Sequence, residues 1–133
     1  MLRAVLTSLL LSLAFISPSQ AAPPSAGGVK YVYLEPGFVV NYGEKGRMKY
    51  LKTDVALKVA SDAAAAKIKS HLPYLRNDMI LLLSSQTADI INSADGREDL
   101  RKQALDQVRA VLMKLEGQTY VDDLYFSNFV AQN

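Results

Sequence analysis

The sequence predicts an α+β domain, a small antiparallel sheet with helices packed on one face. Three observations predict it. Residues 31–41 are rich in tyrosine and valine, and a stretch over 47–60 alternates with period two. The apolar period then changes to that of a helix over residues 61–115. A last aromatic run, 120–131, returns to strand-like text. The element order β-β-α-α-α-β is that of a two-layer α+β sandwich.

Each element has a local cause. In 31–41, Pro36-Gly37 interrupts the strand and predicts a bulge or an edge position, because proline cannot donate to a ladder. Residues 43–46, GEKG, supply a turn. In the second strand Leu51, Thr53, Val55, Leu57 and Val59 share one face, and Tyr50, Lys52, Asp54, Ala56 and Lys58 share the other. That alternation predicts one buried face and one wet face. Ser61 or Asp62 caps a helix through four alanines, strong helix formers. Pro73 marks a kink or the first turn of a second helix.

Leu75, Met79, Leu82 and Leu83 give this second helix a core stripe, while Ile80 and Leu81 carry its apolar surface around the circumference. A helix apolar on every side is either central or covered by a partner. Core packing and self-association therefore compete at residues 79–83. Thr87 caps a short turn through Ile90-Ile91, and Ser93 caps the last helix. Leu100, Ala104, Val108, Val111, Leu112 and Leu115 fall on one face, opposite Lys102, Asp106 and Arg109. Gly117 sits where a C-terminal glycine stop belongs. In the closing strand Leu124, Phe126 and Val130 share one face, Tyr125 and Phe129 the other.

The first 21 residues read as a targeting segment and not as fold. Arg3 is a minimal basic region, residues 4–16 form a mostly apolar stretch of 13, and Pro18 precedes the small-x-small site Ser19-Gln20-Ala21. Thirteen residues fall short of the ~20 that span a bilayer as a helix. Cleavage between Ala21 and Ala22 is expected, and an uncleaved signal anchor is the competing reading. Cleavage after residue 21 of 133 leaves 112 residues: a short Pro/Ser/Ala/Gly linker over 22–30 and one domain over 31–133.

Cysteine is absent, which excludes disulfides, thiolate metal sites and thiol nucleophiles. Leaving out Arg3, 14 basic residues face 13 acidic ones, too even a balance for nucleic acid or anionic lipid as the main partner. The one histidine, His71, has no neighbouring ligand at metal-binding spacing. Residues 95–99, DGRED, lack the alternating oxygen ligands of a calcium loop and fit the first turn of a helix, where acidic groups complement the dipole. Ser84 and Ser85 have no elbow motif or base and read as a helix end. Asp122-Asp123 stand at a strand start, where neighbours point to opposite faces. No catalytic residue, metal site or cofactor is expected. Tyr31, Tyr33, Tyr42 and Tyr50 cluster around the first hairpin, and tyrosine is favoured both at interfaces and in strands.

Residues 76–115 read RNDMILLLSSQTADIINSADGREDLRKQALDQVRAVLMKL, an apolar run that stops at Ser84-Ser85-Gln86-Thr87 before a long amphipathic helix. With the strand text Glu35-Pro36 and Phe38-Val39 upstream and Val121, Phe126, Phe129 and Val130 downstream, the chain resembles the FliL family of flagellar basal-body proteins over residues 31–132. Tyr50-Leu51-Lys52 and Arg76, Asp78, Leu82, Leu83, Ser84, Ser85 and Thr87 also match the family pattern. The resemblance implies a non-enzymatic periplasmic protein with a stomatin/prohibitin-like domain. Its implied partners are the flagellar stator and basal body, and copies of itself arranged in rings. A soluble periplasmic FliL-like binding module, acting on another envelope complex or ligand, is the alternative. Family members usually have a spanning N-terminal helix; here the short signal replaces it, so no firm membrane anchor is expected. The candidate interface residues are Tyr31, Tyr33, Met79, Ile80 and Leu81.

Overall fold

The computed structural model describes residues 30–43 and 46–132. The signal segment, its cleavage site Ala21-Ala22 and the linker up to residue 29 lie outside the described residues. The element order is β1 (Lys30–Tyr33), β2 (Phe38–Tyr42), β3 (Lys49–Val59), α1 (Asp62–Ser70), α2 (Leu72–Ser84), α3 (Ala88–Asn92), α4 (Ala94–Glu116) and β4 (Val121–Gln132). An α+β architecture is therefore present, with one antiparallel sheet and the helices against one of its faces.

β3 is the centre of the sheet. β1 pairs with its second half, Lys30 opposite Val59, and β2 with its first half, Phe38 opposite Thr53. β4 pairs along the whole of β3, from Val59 opposite Val121 to Tyr50 opposite Gln132. A strand has only two edges, so β1 and β2 follow one another along one edge and β4 takes the other. The expected interruption at Pro36-Gly37 is the break between β1 and β2, on an outer strand where proline is tolerated.

Every second residue of β3, from Leu51 to Val59, is buried, as the alternation predicts. Leu51, Val55, Leu57 and Val59 join Phe38, Val40, Leu75, Met79, Leu83, Leu100, Ala104, Val108, Leu112 and Leu124 in one core. Ser61 caps α1 by accepting from the Ala64 N–H at 3.0 Å. Ser93 caps α4 through the Gly96 N–H, also at 3.0 Å. Pro73 occupies the first turn of α2, and Gly117 ends α4 at φ 75°. Gly96 is buried: a Cβ there would meet the Ser93 hydroxyl at 2.6 Å and the Ile90 backbone, so glycine lets α3 lie tightly on the start of α4.

Three details depart from the sequence reading. In β4, Asn128 at φ 51° forms a bulge, with two residues of β4 opposite Thr53 alone. The extra residue reverses the side-chain parity, so Phe129 turns inward beside Phe126, ring centroids 5.6 Å apart, and Val130 turns outward. On α4, Leu115 lies at the surface near the helix end, while the buried stripe stops at Leu112. Arg109, expected on the outward face, folds back and donates to the Val121 and Asp122 carbonyls. Its side chain is long enough to reach the neighbouring strand from the border of the stripe.

Candidate functional site

Among the described residues no group of three or more His, Asp or Glu side chains is placed to hold a metal ion. His71 Nε2 lies 2.7 Å from Glu116 Oε1, and Lys67 Nζ lies 3.4 Å from Glu116 Oε2. The histidine thus ties the α1–α2 junction to the end of α4. The hydrogen bond with His71, helped by Lys67, holds the Glu116 carboxyl below its ordinary range. Ser84 and Ser85 donate to the Leu81 and Leu82 carbonyls and close α2. Asp122 is exposed at the strand start.

Asp123 sits in a polar network with Arg101 and Tyr125. Its Oδ1 accepts from Arg101 Nη1 at 2.6 Å and from the Leu124 N–H at 2.8 Å, and its Oδ2 accepts from the Tyr125 hydroxyl at 3.0 Å. Partial burial opposes its ionisation, but these three donors outweigh burial and hold the carboxyl below the usual value. Arg101 also pairs with Glu98 at 2.7 Å and donates to the Leu124 carbonyl at 3.0 Å. These groups fasten β4 to α4; with every carboxylate oxygen near Arg101 engaged, they are structural.

Apolar side chains are exposed on α2 and on the outer face of the sheet. On α2, Met79 is buried at 1 % exposure and belongs to the core, while Ile80 and Leu81 are 42 % and 60 % exposed. The stretch that sequence alone left between core and interface is therefore divided residue by residue. Leu75, Met79, Leu82 and Leu83 fill the core, and Ile80 and Leu81 face outward with Tyr74 exposed on the same helix. Tyr31 and Tyr33 are exposed on the sheet face away from the helices, with ring centroids 6.5 Å apart. Tyr125 joins them 6.4 Å from Tyr31. Tyr42, grouped with them by sequence, is buried instead. Among the described residues no helix is long and apolar enough to cross a membrane.

A family model described as flagellar basal body-associated protein FliL matches residues 31–132. The chain belongs to the FliL family. It is similar to the flagellar protein FliL of Aquifex aeolicus, 31% identical over 113 residues, which cover 85% of this chain and 66% of that protein. It is also similar to the flagellar protein FliL of Escherichia coli K12, 24% identical over 100 residues, covering 75% of this chain and 64% of the relative. The chain thus spans just under two thirds of the length of these relatives. The FliL match coincides with the folded unit that starts at β1 and ends with β4.

Sequence reasoning gave no fastening role to the arginines of this FliL domain, although it singled out Arg76 as matching the family pattern. Arg76 on α2 donates to the Leu34 and Pro36 carbonyls at 3.0 and 2.6 Å and lies over the Phe38 ring at 4.4 Å. Arg97 sits over Phe129 at 4.9 Å. The four-residue spacing of Arg97 and Arg101, one turn apart beside a buried stripe, was the available signal.

Proposed function

We propose that the protein is a non-enzymatic accessory component of the flagellar basal body, exported to the periplasm, which associates with the stator and with copies of itself to modulate motility. The family match over the whole folded unit carries the flagellar part of this reading. Ile80 and Leu81, turned outward with Tyr74 on a helix whose Leu75, Met79, Leu82 and Leu83 are packed in the core, support the reading of α2 as a docking surface. In free solution the domain over residues 31–133 associates weakly, because two-dimensional confinement does not raise its local concentration there. A monomer or weak dimer at micromolar concentration is the expected solution state, with recruitment to the motor dependent on the stator.

A deletion strain tests this reading. It should lose or alter swimming and swarming, and the intact gene should restore them. Pull-down from the periplasm should recover stator protein, and mass spectrometry should place the mature N-terminus at Ala22 in the soluble fraction. Normal motility of the deletion strain would favour the alternative, a soluble periplasmic FliL-like binding module acting on another envelope complex. Protein still beginning at Met1 in inner membranes would restore the anchored form.

A further inference from the structure

Side chains cap parts of both edges of the sheet, while its outer face lies open. Leu34 N–H donates to the Val55 carbonyl at 3.0 Å, so odd-numbered residues of β3 direct their backbone groups to β1–β2 and even-numbered ones to β4. The free edge of β4 then includes Leu124, whose carbonyl is taken by Arg101 and whose N–H is taken by Asp123. Arg109 takes the carbonyls of Val121 and Asp122. The Asn128 bulge bends the rest of that edge. On the opposite side Pro36 breaks the edge, and Arg76 holds the Leu34 and Pro36 carbonyls. Side-chain caps, proline and a bulge are the means by which strands refuse further pairing.

The outer face is built in the opposite sense. A solvent-facing side of an antiparallel sheet ordinarily carries polar residues. Here Tyr31, Tyr33, Val39, Tyr50, Tyr125 and Val130 all lie exposed on it. Register places Lys52 between Val39 on one side and Val130 on the other. Val39, Tyr50, Lys52, Val130 and Gln132 line a groove of about 520 Å³. Among the described residues no carboxylate lies within 4 Å of the Lys52 ammonium. The nearest outward acid along β3, Asp54, already accepts from the Asn128 side-chain amide at 2.7 Å.

We propose that this outer sheet face is a docking surface for an acidic, amphipathic segment of a partner protein, which places apolar side chains on Val39 and Val130 and a carboxylate on Lys52. A cation at the middle of an apolar patch loses its water when the patch is covered, so the cover must return an opposite charge. Two copies stacked face to face about a twofold axis through this groove would instead bring Lys52 against Lys52. The width also fits: three strands at about 4.8 Å spacing span roughly 10 Å, the diameter of one helix. The groove receives side chains better than the flat surface of a bilayer does. The inference rests on the sheet alone; its failure would leave docking through Ile80 and Leu81 untouched.

The test is an NMR titration of the mature protein with a synthetic amphipathic helix carrying leucines on one face and glutamates along its borders. Shifts should concentrate at Val39, Lys52 and Val130. Lys52→Glu, a change at an exposed position, should weaken binding at least about tenfold and admit the same helix bordered by lysines. Lys52→Met should keep the apolar interaction and remove the preference for glutamate. Shifts confined to α2, or equal affinity for both helices, would overturn the proposal. So would binding of anionic phosphatidylglycerol vesicles through this face with no binding of the peptide, or concentration-dependent shifts of this face without any peptide, which would identify a second copy as its cover.

Discussion

The Arg109 guanidinium donates from Nε to the Val121 carbonyl at 3.0 Å and from Nη2 to the Asp122 carbonyl at 2.8 Å, and so joins the last helix to the first residues of the last strand. The chain turns back on itself between these points, at Gly117. Arg109→Ala removes two charge-assisted donors and leaves the Val121 carbonyl without its partner. Such bonds contribute about 1.5–3 kcal/mol when shielded, and the half-exposed position here puts the expected loss near 1 kcal/mol. Urea unfolding of the variant beside Lys102→Ala, an exposed change on the same helix, measures it. Equal midpoints would refute the role.

The core makes a larger demand at Leu112, which is fully buried beneath the sheet. Leu112→Ala should destabilise by about 2–5 kcal/mol, the range for a buried large-to-small change. Leu115, one turn on but at the surface, should stay within about 0.5 kcal/mol when changed to alanine. Gly96→Ala should also be costly, although alanine is the better helix former, because its Cβ would press on Ser93 and the Ile90 backbone. Thermal unfolding of the three variants orders them; a stabilised Gly96→Ala protein would mean that α3 does not pack against α4 as described.

Part of the acid sensitivity should trace to Asp123. Its carboxyl is held below the ordinary value of 3.8, so the folded state keeps the charge where the unfolded chain takes up a proton. The stabilisation is complete above that value and is lost as pH falls through the depressed one. Asp123→Asn should therefore be less stable than wild type at neutral pH, with the difference shrinking below pH 3.8. Parallel stability curves from pH 7 to pH 2 would sink the assignment.

The parts of this fold that are legible in sequence are those governed by one period. Leu51 to Val59 alternate except at Ala56, which the sequence places on the wet face and the structure buries under neighbouring strands, and one buried face follows. Ser61, Thr87, Ser93 and Gly117 stand at helix ends because capping chemistry is local. The β4 bulge is not legible, since Asn128 takes a positive φ without the glycine that would announce it, and one extra residue is enough to exchange Phe129 and Val130. The arginine fasteners were hidden for a related reason. A helical wheel sorts residues by Cα direction, and the long side chains of Arg101 and Arg109 travel from the border of the stripe to β4. Of the surface proposed for docking, the apolar excess at residues 79–83 was visible in the sequence; its division into buried Met79 and outward Ile80 and Leu81 required the packing of α2.

That division gives the last prediction its discriminating power. Ile80 and Leu81 are 42 % and 60 % exposed, so an aspartate at either site meets solvent instead of an apolar core. The intrinsic helix penalty of such a change is under about 1 kcal/mol, and the lost partial burial adds a comparable amount. Ile80→Asp and Leu81→Asp proteins should therefore fold, with circular dichroism spectra like wild type and modestly lowered melting temperatures. Met79→Asp, at a position 1 % exposed, should unfold the domain, because it buries a charge without a partner. If α2 docks on the motor, the two folded variants should fail to restore swimming to a deletion strain and should show diffuse fluorescence in place of polar or lateral foci. Full motility from a folded Ile80→Asp, Leu81→Asp double variant would remove this helix from the docking surface.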